Sequence, residues 1–69
     1  MRQFELLEGE KWRGNYGTRR AAMADAELLA AKRGQTVRWV RIDGGATAGF
    51  REPPSEASQF TIRAAADSA

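Results

Sequence analysis

Thr18-Arg19-Arg20-Ala21-Ala22-Met23-Ala24-Asp25-Ala26-Glu27-Leu28-Leu29-Ala30-Ala31-Lys32-Arg33-Gly34, then Gln35, then Thr36-Val37-Arg38-Trp39-Val40-Arg41-Ile42: this stretch decides the fold. Its first half is rich in Ala and Leu, with no Gly or Pro between Arg19 and Arg33, which predicts a helix over 19–33. Thr18 is a good N-cap, and Gly34 supplies a left-handed stop. Lys32 and Arg33 suit the negative end of the helix dipole. Ala22, Met23, Ala26, Leu29 and Ala30 share one face, small enough for the helix to lie close against a sheet. Leu28 falls off that stripe and either reaches the core margin or meets a partner. The second half is β-branched and aromatic, which predicts a strand over 36–42. Val37 and Trp39 share one face, Val40 and Ile42 the other, so both faces are partly apolar, the pattern of a central strand.

Outward from this pair the signals are shorter. Asp43-Gly44-Gly45 is a turn, and Ala48–Glu52 a short return strand that Pro53-Pro54-Ser55-Glu56 breaks. Gln59–Arg63 reads as a last, edge strand. Upstream, Phe4–Leu7 and Lys11–Tyr16 alternate around a Glu8-Gly9-Glu10 turn and form a hairpin. Phe4 and Leu6 share one face of its first arm, Trp12 and Tyr16 one side of the second, where Gly14 weakens the strand. The expected fold class is α+β, one helix packed on a small antiparallel sheet in the order β-β-α-β-β(-β). Residues 1–63 form one small domain and 64–69 a frayed tail.

At 69 residues there is room for one domain. A hydrophobic fraction of 42% and a charged fraction of 29% are those of a folding chain rather than a disordered one. A monomer this small has little interior in which to enclose a ligand, so a surface, or an interface made by self-association, is the expected kind of site. Cysteine and histidine are absent, which removes disulfides, thiolate chemistry, the commonest metal ligand and the usual general base. Ser55, Ser58 and Ser68 therefore have no imidazole to activate them. Glu5, Glu8 and Glu10 cluster, but along a strand and its turn, where a solvated face is the simpler account. No enzyme activity, metal or cofactor is expected. No apolar run is long enough to span a membrane, and Met1-Arg2-Gln3-Phe4-Glu5 holds no signal core, so a cytoplasmic location is expected.

The formal net charge is +2, yet of the 11 basic residues only Lys11 and Lys32 are lysines. Arginine's planar fork suits phosphate and carboxylate, although a codon bias toward arginine and alanine explains the count as well. The helix start is the place to suspect. Arg19 and Arg20 put cations at the positive end of the dipole, and Ala21 stands where a capping box would have Glu. With Lys11 and Arg13 on the preceding strand, they compose a candidate site for phosphate or for a partner's acidic patch, against the alternative of a solvated basic edge. Arg38 and Arg41 flank Trp39, a basic-aromatic interleaving found on single-stranded nucleic-acid platforms. They alternate to opposite faces, however, and Trp39 reads as core. Gly14-Asn15-Tyr16-Gly17 has the outline of the G-x-x-G loop of KH domains, with a glycine-punctuated hairpin end as the simpler reading.

Trp12-Arg13-Gly14-Asn15-Tyr16-Gly17-Thr18, the alanine-rich helix and Val37–Ile42 together resemble the small β-α-β accessory proteins of phages and mobile elements, some anti-CRISPR proteins among them. The resemblance covers residues 3 to 43 in size and outline and carries over no residue's role. It implies a protein that acts by occupying a partner. The expected function is then non-catalytic docking of an arginine-rich surface, Lys11, Arg13, Arg19, Arg20 and Arg38, on an acidic face of a protein or nucleoprotein. The alternatives are a small basic module binding DNA or RNA, and a homodimer formed through a sheet edge or Leu28.

Overall fold

A computed structural model describes residues 3–65. Strands β1 (Phe4–Glu8) and β2 (Lys11–Tyr16) form the N-terminal hairpin, and helix α1 (Arg19–Ala31) follows. Strands β3 (Thr36–Arg41) and β4 (Thr47–Glu52) form a second hairpin around a 3₁₀ turn at Asp43–Gly45, and β5 (Phe60–Ala64) ends the sheet. The result is the expected α+β architecture, one helix on a five-stranded antiparallel sheet in the order β2-β1-β5-β4-β3.

The helix ends follow their local chemistry. The Thr18 hydroxyl accepts the Ala21 N–H at 3.1 Å. At the other end Gln35 N–H donates to the Ala30 carbonyl and Gly34 N–H to that of Ala31. This is a Schellman closure, and it needs the left-handed φ of +70° that Gly34 adopts. Ala22, Ala26 and Ala30 are fully buried against Leu6, Phe60 and Ile62, with Phe4, Tyr16, Met23, Leu29, Val37 and Trp39 packed around them. Gly49 belongs to this fit: a Cβ there would lie 2.6 Å from the Trp39 ring and 2.8 Å from Val37. Its missing side chain lets Trp39 lie across β4 beneath the helix.

Strand order departs from the sequence reading. β3, expected at the centre, is an edge, and β5, expected at an edge, is the centre. Phe60 and Ile62 are fully buried on β5, whereas only one face of β3 is covered by the helix. The other face of β3 carries Thr36 and Arg38, both exposed, and the half-buried Val40. Ala64 and Ala65, expected within the tail, are tied into the sheet. Ala64 pairs with Phe4, and Ala65 N–H donates to the Gln3 carbonyl at 2.8 Å. Residues 66–69 of that expected tail lie outside the described residues.

A β-bulge separates Trp12 from Tyr16. The register pairs Phe4 with Tyr16 and Leu6 with Gly14, then shifts so that Leu7 pairs with Trp12. Strict alternation put the two aromatics on one side; the extra residue at the bulge turns Trp12 away from the helix. Trp12 is 57% exposed and so is not part of the core, and Ile42 is exposed too.

The two helix-facing edge aromatics grip opposite flanks of α1. On β2 the Tyr16 hydroxyl donates to Asp25, and on β3 the Trp39 indole N–H donates to Glu27 at 3.2 Å. The Asp25 bond, then burial, then the Asp25 charge push the Tyr16 hydroxyl up to about 12. Since the folded value lies above the ordinary one near 10, the stabilisation is whole below pH 10 and is lost as pH rises toward 12. Tyr16 is the chain's single tyrosine. Its absorbance titration is expected to show a midpoint near 12, moving toward 10 in Asp25→Asn. A midpoint at 10 in the unmodified protein would show that the grip does not form.

Candidate functional site

One helix can cover only one face of a five-stranded sheet. The other face is open, and the register shows what it presents. Trp12 pairs with Leu7, Leu7 with Thr61, Thr61 with Ala48 and Ala48 with Val40, so one lateral row crosses every strand. Beside it Phe50 pairs with Arg38, and Glu5 pairs with both Asn15 and Arg63. The row is apolar apart from Thr61, and its exposed end is Trp12.

Charge on this face is layered. Arg63 Nε donates to Glu5 at 2.7 Å, and the arginine side chain stays 55% exposed while the carboxylate is only 18% exposed. The guanidinium is therefore the outer member of the pair. The Arg38 guanidinium lies 5.2 Å from the centroid of the Phe50 ring and 4.0 Å from Glu52. A stacked guanidinium keeps its edge free for hydrogen bonding. Together these residues offer an apolar strip ending in an exposed indole, flanked by outward-facing arginines.

The basic residues singled out in the sequence do not meet. Lys11 lies at the hairpin end of β2 and Arg13 two residues on, whereas Arg19 and Arg20 follow its other end, about 17 Å along the strand from Lys11 and about 10 Å from Arg13 at ~3.3 Å per residue. Arg38 is on the opposite edge of the sheet, about 19 Å away over four strand spacings. The expected single basic edge from Lys11 to Arg20 is thus divided, because β2 runs extended between its two parts. Of the five, only Arg38 is on the open face.

Each of the others has its own surroundings. Arg13 donates to Glu8 at 2.9 Å. Arg19 turns back onto the protein, its guanidinium 5.2 Å from the Phe4 ring centroid and its Nη2 donating to the Gly45 carbonyl at 2.7 Å. That contact explains a cation at the unfavourable end of the dipole: Arg19 ties the helix start to the β3–β4 turn. Lys11 and Arg20 are exposed, with no ion pair or side-chain hydrogen bond among the described residues. Gly14-Asn15-Tyr16 is strand, as the hairpin reading expects, rather than a nucleotide-clamping loop.

The acidic cluster also differs from its reading as a solvated face. Glu10 is exposed, but the Glu5 and Glu8 side chains are mostly covered by arginines. Glu8 accepts from Arg13 and, through its other oxygen, from the buried Arg51. Burial raises the Glu8 carboxyl, but the Arg13 hydrogen bond and the charges of Arg13, Arg51 and Arg33 outweigh it and hold the group below its ordinary value. Its stabilising contribution is whole above the ordinary Glu range and is lost as pH falls through the lowered value.

Two open clefts flank β4 and the loop after it. One, of about 290 Å³, is lined by Arg38, Phe50, Glu52, Pro54, Ser55 and Gln59. The other, of about 420 Å³, has Glu8, Glu10, Lys11, Arg33 and Glu56 around it. No group of three or more Asp or Glu side chains that could hold a metal ion occurs among the described residues. No helix there is long and apolar enough to cross a membrane. Comparison with known proteins finds no matching family model, no matching curated protein and no matching solved structure.

The open-face residues that the sequence reading passed over are Leu7, Phe50, Thr61 and Arg63. The alternation of Phe60 and Ile62 with Thr61 and Arg63 already separated two faces of β5. The pairing of Arg38 with Phe50 had no local signal. Arg19→Ala is expected to cost about 1–2 kcal/mol in urea unfolding, for one lost cation–π contact and one lost hydrogen bond. Arg20→Ala is expected within about 0.5 kcal/mol of the unmodified protein. Equal effects would show that Arg19 is not the tie described.

Proposed function

We propose that this chain is a non-catalytic interaction protein that docks the helix-free face of its sheet on an acidic surface of a protein partner. The observation that carries this reading is the layering of that face: Arg63 lies outside Glu5, Arg38 lies over Phe50, and Trp12 is exposed at the end of the apolar row. An exposed indole beside guanidiniums is the side-chain mixture that anchors protein interfaces. A partner carboxylate meets Arg63 or Arg38 from outside, while an apolar residue covers Leu7 and Val40. Occupying a target in this way, as a small phage-type inhibitor would, needs neither a closed pocket nor a catalytic group.

A second reading, a platform for single-stranded nucleic acid, has one specific observation in its favour: an indole and a stacked Arg38–Phe50 pair share the face. The spacing favours the first. Trp12 on β2 and Phe50 on β4 are three strand spacings apart, about 14 Å, too wide for adjacent bases to stack on both.

Backbone chemical-shift mapping separates the two. An acidic amphipathic peptide carrying Asp, Glu, Leu and Phe, and separately a thymidine 12-mer, are titrated into the labelled protein at physiological salt. Peptide-induced shifts are expected on Leu7, Trp12, Thr61, Arg63, Phe50 and Arg38. Trp12→Ser and Arg63→Glu are each expected to weaken the binding, about tenfold or more for Trp12→Ser. Shifts with the oligonucleotide alone would replace this reading by the second, and shifts confined to other surfaces would refute both.

A further inference from the structure

We infer that the free edge of β3 accepts an extended acidic segment of a partner chain as an added strand. The edge is the outward main-chain margin of β3 and shares only Arg38 with the docking face proposed above. β3 has a neighbour on one side only, β4. Its register with β4 is unbroken over Thr36–Arg41, and it contains neither proline nor glycine. The opposite edge, β2, is interrupted by its bulge and by Gly14, which spoils it as a template. Only the β3 edge is long and regular enough to extend the sheet.

The hydrogen-bond phase of that edge follows from one contact. Ile42 N–H donates to the Ala46 carbonyl at 3.0 Å, which makes 42 and 46 a hydrogen-bonded pair. In an antiparallel ladder such pairs alternate with non-bonded ones. Val40, Arg38 and Thr36 therefore turn their peptide groups toward β4, and Val37, Trp39 and Arg41 turn theirs outward. No group among the described residues bonds to these outward N–H and C=O groups. An extended peptide would satisfy them by main-chain pairing.

Charge selects the occupant. β3 carries Arg38 and Arg41 and no acid. Two copies of the chain joined edge to edge would line four guanidiniums along one junction with no carboxylate in either strand, and like charges across strands repel. An acidic segment meets the same arginines favourably. Arg38 lies on the open face and Arg41 on the helix face, three residues apart. A partner strand answers both only if its own acids are also three apart, with the two residues between them opposite Trp39 and Val40. The pattern recognised is acid-apolar-apolar-acid, and it is the same in either strand direction.

The test is fluorescence anisotropy of a labelled acetyl-Thr-Glu-Val-Ile-Glu-Thr-Thr amide, with acetyl-Thr-Glu-Val-Glu-Ile-Thr-Thr amide as the control of equal composition. The first peptide is expected to bind and the control about threefold or more weaker, since its acids share one face. Arg41→Pro removes an outward N–H without removing any bond to β4, a placement that edge strands tolerate, and is expected to abolish binding. Arg38→Glu with Arg41→Glu is expected to reverse the preference toward the same peptide with Lys in place of Glu, which reports on the edge even if Arg41→Pro fails to fold. Lys11→Ala, on the opposite edge of the sheet, is expected to leave peptide affinity unchanged. Equal binding of the two acidic peptides, or no reversal in the charge-swapped variant, overturns the inference; loss of binding in Trp12→Ser would place the peptide on the open face instead.

Discussion

Arg51 is a cation buried at the point where the sheet would otherwise come apart. The ladder between β4 and β5 joins only Thr47, Ala48 and Gly49 to Ile62, Thr61 and Phe60. Beyond that the chain leaves β4 for the 53–59 loop. Arg51 takes over there. Its Nε donates to the Ser58 carbonyl at 2.9 Å, its Nη1 to Gln35 at 3.1 Å and its Nη2 to Glu8 on β1. The guanidinium lies 4.4 Å from the centroid of the Phe60 ring. One side chain thereby ties β4, β1, the loop and the segment before β3. Burying a charge is costly unless every donor is used, and arginine's fork is the side chain that reaches several acceptors at once.

The rest of the architecture depends on that closure. The hairpins β1–β2 and β3–β4 share no ladder, and β5, which follows them in the chain, is the strand that pairs with both. The helix then spans the joined sheet, held close by alanines at its centre and gripped at its flanks by Tyr16–Asp25 and Trp39–Glu27. With a single helix available, the second sheet face and the β3 edge stay uncovered. Those are the two surfaces proposed to meet partners. The same economy that makes so short a chain fold leaves these surfaces in the open.

Much of this fold was legible because its signals are local. Thr18, the alanine spacing and Gly34 fix the helix and its ends, and the β-branched run at 36–42 fixes β3 as a strand. Leu28, off that stripe and open between the core margin and a partner contact, is exposed. Strand order was not legible. Edge and centre differ by what lies beside a strand, and apolar character on both faces of Thr36–Ile42 served equally for either. The bulge hid the facing of Trp12, because alternation assumes one residue per pleat. The candidate site suffered most. Lys11, Arg13, Arg19 and Arg20 are near in sequence but are separated by an extended strand, whereas Arg38, Phe50 and Arg63 meet through long-range pairing. Arg51 is chemically indistinguishable in sequence from the exposed arginines around it, and only its partners make it structural.

The most direct test of this account is urea unfolding of Arg51→Met, Glu8→Gln and the double variant at neutral pH. Removing the cation takes a donor from the Ser58 carbonyl, Gln35 and Glu8 and leaves the Glu8 carboxylate to Arg13 alone, so Arg51→Met is expected to lose about 3–5 kcal/mol, enough to unfold much of so small a domain. The double variant leaves no charge buried without its partner and is expected to recover part of that loss. An Arg51→Met protein within about 0.5 kcal/mol of the unmodified chain, or losses that simply add in the double variant, would contradict the claim that this pair closes the sheet.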